Sequence, residues 1–119
     1  MGPAGASQAR FARVWRGRTA REKADEYAHY LLDNGIAPLE RKGALAVQML
    51  REDQGTETEF VTVSWWASLE AMTGGSGEDP RRPHHLPRDA DFLIALPERV
   101  HVLSLMEARG RIGGTDPPP

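Results

Sequence analysis

A chain of 119 residues, 39% hydrophobic and 27% charged, suits one globular domain with a modest core. A net charge of -2 argues against a nucleic-acid binder, and the absence of cysteine excludes disulfides and thiol catalysis. No apolar run resembles a signal peptide or approaches the roughly 18 residues of a membrane span, so a cytoplasmic protein with no nucleic-acid or membrane partner is expected.

Both ends read as loose. Residues 1–9 are small and Gly/Ala-rich, and residues 109–119 end in three prolines. Between them, residues 10–108 read as a single domain. "FARVWRG" alternates and is rich in strand formers, which predicts a first strand. In "RTAREKADEYAHYLLDNG", Thr19 followed by Glu22 has capping-box spacing, and Ala20, Ala24, Tyr27, Ala28, Leu31 and Leu32 form one apolar stripe. Asn34 and Gly35 supply the stop. His29 falls opposite that stripe and is expected to face solvent.

"IAPLERKG" reads as a connector, because Pro38 breaks a helix. "ALAVQMLRED" and "TEFVTVSWW" read as two strands of a hairpin joined at "QGTE". "ASLEAM" predicts a brief helix that "TGGSG" ends. A further helix starts at Pro87, carries the stripe Leu86, Ala90, Leu93 and Ile94, and stops at Pro97. "RVHVLSLME" predicts the last strand.

Strand, helix, strand, strand, helical segment, strand is the order of an α+β ferredoxin-like fold with a four-stranded antiparallel sheet. Helices then cover one sheet face. On the third strand Val61, Val63 and Trp65 point one way, and Phe60, Thr62, Ser64 and Trp66 the other. Both rows carry large apolar groups, so the open face calls for a cover. A homodimer packed through its sheet faces would supply one.

"WRGRT", "EYAHYLLDNG", "TEFVTVSWWASLEAM" and "GED", followed by a short helix and a final strand, resemble the antibiotic biosynthesis monooxygenase-like proteins. The resemblance spans about residues 10–107. Its best-matching piece is the run Trp66, Ala67, Ser68, Leu69, Glu70, Ala71, similar to the family's W-x-S-x-x-A at the end of the third strand. The resemblance implies a dimeric α+β barrel. It also implies oxygenation of a quinol-like or polycyclic aromatic molecule without a cofactor. The alternative is a non-catalytic small-molecule-binding or structural homodimer of the same fold. Haem-degrading relatives use an Asn on the first strand. The only Asn here is Asn34, at the end of the first helix, so haem degradation is disfavoured.

Trp65 continues the valine row and reads as core packing. Trp66 follows Thr62 and Ser64, and small polar groups beside a large aromatic suit a cavity wall that orients a flat ligand. The tract at residues 76–89 reads as a connector that rims the cavity. Its His84 and His85 are candidate bases, since a neutral imidazole near pH 7 can remove a phenolic proton. Adjacent side chains diverge, so the two are not expected to serve one site together. Tyr27, on the buried stripe, mainly packs, but its hydroxyl is within reach of a ligand between helix and sheet. Arg81, Arg82 and Arg88 read as a solvated charge cluster, or else as a guide for an anionic substrate. His101 reads as structural. The four histidines do not converge, so no metal is expected.

Overall fold

The computed structural model describes residues 8–112. The expected tails lie mostly outside these, at 1–7 and 113–119. Four strands form one antiparallel sheet in the order β2-β3-β1-β4: β1 (Phe11–Ala20), β2 (Ala46–Gln54), β3 (Glu57–Trp66) and β4 (His101–Ser104). A short 3-10 turn, Arg21–Lys23, leads into α1 (Ala24–Asn34), and α2 (Ile36–Lys42) follows at once. Single helical turns α3 (Leu69–Met72) and α4 (Asp89–Phe92) interrupt the long return from β3 to β4. This is the α+β ferredoxin-like arrangement.

The central pair is β1 and β3, in register from Phe11 opposite Trp66 to Ala20 opposite Glu57. Facing residues share a side, so Phe11, Arg13, Trp15, Gly17 and Thr19 lie with Trp66, Ser64, Thr62, Phe60 and Thr58 under the helices. All five of these β3 residues are buried. Trp15, Tyr27, Leu31, Phe60, Phe92, Leu93 and Val100 build the core between sheet and helices. Tyr27 meets Phe60 edge-on at 5.1 Å and Phe92 at 5.2 Å, which ties α1 to both β3 and α4.

Gly17 has a close-approach reason to be glycine. A Cβ there would sit 2.5 Å from the Trp15 ring, which folds back across it.

Four expectations from sequence are corrected. Thr19 caps nothing: β1 runs on through Thr19 opposite Thr58, and Ala20 precedes the 3-10 turn with no side-chain cap. The strand pairing outlasts the local capping signal and delays the helix. Pro38 does not break a helix but is the third residue of α2, where its missing N–H would have had no helical partner. Gly43, at φ 110°, is the actual terminator. The helix begun at Pro87 shrinks to Asp89–Phe92, because Leu93 turns extended and bridges to Thr19. As a result Ile94, placed on the predicted stripe, is exposed. Trp65 lies on the face without helices, half-buried, and its indole N–H donates to Gln48 at 2.8 Å.

Candidate functional site

Between the sheet and the helices lies a cavity of about 270 Å³. Its floor is the sheet: Arg13 and Trp15 from β1, Met49 from β2, and Thr62 and Trp66 from β3. Leu31, Pro38, Leu39 and Met72 supply apolar walls from α1, α2 and α3, and Lys42 stands at the end of α2. The 76–89 tract closes one side with His84, His85, Leu86 and Asp89. Large apolar groups with a few convergent polar ones are what a small-molecule site requires.

The strand end explains how Trp66 is aimed. Its side chain is almost fully buried, and its indole N–H donates to the Ser64 hydroxyl at 2.9 Å. Two residues later Ser68 caps α3, accepting the Ala71 N–H at 3.1 Å. The serine of the W-x-S-x-x-A run therefore starts a helix and is not a ligand group. Ser64 orients Trp66 and stays off the cavity lining, whereas Thr62 is on it.

Tyr27 also stays off the lining. Its hydroxyl donates to Asp89 Oδ1 at 3.0 Å, while Oδ2 accepts the Leu86 N–H at 2.8 Å. Burial first, then the Asp89 charge, pushes the Tyr27 phenol far above its ordinary range. It is a fixed donor and not a proton shuttle at neutral pH. The pair holds the 86–89 end of the rim against α1, helped by the Arg88 N–H donating to the Tyr30 hydroxyl at 2.9 Å.

The other end of the rim hangs on Arg13. Its Nε donates to the Pro80 carbonyl at 3.1 Å and Nη2 to the Arg82 carbonyl at 2.8 Å. These bonds draw a Pro-rich coil over the sheet without a helix, and they bring both histidines to the same lining, against the sequence expectation. In an irregular backbone, neighbouring side chains need not diverge as they do in a strand or helix. His84 is held below its ordinary pKa by partial burial first, then by the positive charges of Lys42 and Arg13, with Glu78 opposing. The neutral imidazole is the form these surroundings favour.

Arg81, Arg82 and Arg88 pair with Asp79, Glu78 and Asp91, in keeping with a solvated cluster. His29 and His101 are exposed and away from the cavity. Among the described residues no group of three or more His, Asp or Glu side chains gathers as a metal site would, and no helix is long and apolar enough to cross a membrane.

The sequence reading missed Arg13, Lys42 and Asp89. Arg13 had left a signal, as a charge between Phe11 and Trp15 on the row of β1 that faces the helices. Lys42 and Asp89 had left none, since their places depend on α2 forming and on the coil's course.

A scan against protein-family models finds no match, and neither does a comparison with curated proteins. Among solved structures, a Bacillus cereus protein provisionally described as an antibiotic biosynthesis monooxygenase aligns with a TM-score of 0.60 over 87% of this chain and 100% of its own, at 12% identity. What the two chains share is the ferredoxin-like α+β fold.

Proposed function

We propose that the protein is a cofactor-independent monooxygenase acting on a quinol-like or polycyclic aromatic molecule. The observation that carries this reading is an apolar cavity floored by Trp15 and Trp66, with His84 on the same lining as Arg13 and Lys42, whose charges help lower its pKa. A flat substrate lies on the apolar lining of Pro38, Leu39, Met49 and Leu86, above the buried indoles. His84 takes the acidic proton, and the two cations stabilise the anion that forms. That anion passes one electron to dioxygen, and the substrate radical and superoxide combine as a hydroperoxide, reprotonated by His84. The distal oxygen leaves with the remaining hydrogen of that carbon as water, and the carbon becomes the carbonyl of a quinone. One oxygen atom enters product and one enters water. The substrate supplies all the electrons, so the scheme calls for no cofactor.

A haem reading has less support. β1 contributes no Asn, the candidate histidines lie on coil, and about 270 Å³ is small for a porphyrin. The second reading, a non-catalytic binding dimer, keeps the same cavity and draws on the exposed edges of His84 and His85.

The homodimer belongs to this proposal. The sheet face without helices carries Ala12, Val14, Val61, Val63 and Trp65 at one end, with Leu50 and Leu103 about half exposed. At the other end Arg16 pairs with Glu59 and Arg18 with Glu57, so much of the charge on this face is already paired within the chain.

Oxygen uptake over a panel of hydroquinones and anthrones tests the reading. We expect turnover above the uncatalysed rate. It should fall on the order of 10²-fold in His84→Ala, and it should fall in Trp66→Phe while both variants stay folded. No turnover on any member of the panel would leave the binding protein as the better reading.

A further inference from the structure

Arg13 carries a charge that the fold leaves uncompensated. Its guanidinium lines the cavity, and the two hydrogen bonds it makes go to neutral carbonyls, those of Pro80 and Arg82. Among the described residues no carboxylate comes within ion-pair distance of it. Burial also lowers its pKa, the sign of a cation taken out of water without a counter-charge. Lys42 faces the same space and is likewise without a carboxylate partner. A lysine in the last turn of a helix also suits the free carbonyls there, so Arg13 bears most of the weight. The one acid on the lining is Asp89, and both of its oxygens are already taken, by Tyr27 and Leu86.

An apolar, indole-floored cavity with two unpaired cations and a satisfied acid selects for one class of ligand. We propose that the site takes an aromatic carboxylic acid as its anion, with the carboxylate at Arg13 and Lys42 and the ring against the apolar lining of Pro38, Leu39 and Met49. Charge-assisted hydrogen bonds to guanidinium and ammonium would supply the preference, and the low-polarity surroundings would strengthen them. This inference rests on the cavity being the ligand site of the proposed function, but not on oxygen chemistry.

Calorimetric titration of the full chain with naphthoate and with the isosteric, uncharged naphthamide tests it. We expect the acid to bind at least about tenfold more tightly than the amide, with the advantage shrinking as salt is raised. Lys42→Gln, at an exposed position with no partner to lose, should cut the advantage several-fold. Arg13→Gln should abolish it. Because Arg13 also holds the rim, its variant is read by the acid-to-amide ratio, which a merely loosened rim would leave unchanged. Equal affinity for acid and amide in the wild type, an unchanged ratio in both variants, or no binding of either compound at millimolar concentration would overturn the proposal. Acid binding without oxygen uptake would sustain it while sinking the oxygenase. Turnover of neutral hydroquinones with no preference for acids would do the reverse.

Discussion

Tyr27 and Asp89 are both buried, and their hydrogen bond joins α1 to the cavity rim. Removing the phenolic hydroxyl leaves a buried carboxylate oxygen without a donor, so Tyr27→Phe should cost about 1–3 kcal/mol in urea unfolding. The pH dependence follows from the sign of the shift. The folded state holds the Tyr27 proton more tightly than the unfolded chain, whose tyrosine ionises near pH ~10. Above that pH the unfolded state therefore binds fewer protons, and stability falls as pH rises. Tyr27→Phe should flatten this alkaline loss. A second residue-scale test lies at Gly17, where a methyl group would meet the Trp15 ring at 2.5 Å. Gly17→Ala should destabilise by about 1–3 kcal/mol by denaturant titration, through overpacking and not through backbone strain.

Elements were legible in proportion to how locally they are specified. β3 was plain because its alternation continues for ten residues and its pairing with β2 is a hairpin closed at Gly55. The start of α1 misled because Thr19 and Glu22 satisfy a local rule that the β1–β3 register overrides. Pro38 was read as a breaker because its effect depends on its position within the helix, which only the observed boundaries give. The 76–89 tract has no periodicity to read. Its path is set by long-range bonds from Arg13, by the Val100 N–H to the Arg81 carbonyl, and by Asp89. Strand parity therefore put Trp66 and Thr62 on the helix-covered face and composition made the 76–89 tract a rim, but that both His84 and His85 reach one lining was not legible. Arg13, Lys42 and Asp89 became visible only once the coil was seen to cross the sheet.

At the scale of the whole molecule, one helical layer on a four-stranded sheet leaves the second face uncovered among the described residues. We expect the protein to sediment as a dimer at micromolar concentration, and the double variant Leu50→Lys, Leu103→Lys to sediment as a folded monomer. A wild-type monomer would contradict sheet-to-sheet pairing. On the proposed reading the cavity carries out a proton abstraction ahead of oxygen attack, and His84 as its base would leave a distinctive signature. Partial burial and the nearby positive charges lower the His84 pKa, so its acid limb should lie below the ordinary histidine range. The measurement to make first is the pH dependence of kcat/KM for oxygen uptake, in wild type and in His84→Ala. We expect the wild-type rate to fall on the acid side with an apparent pKa below the usual histidine value of about 6.5, and that limb to vanish in the variant. A profile unchanged by His84→Ala, or no enzymatic uptake at any pH, would contradict His84 as the base.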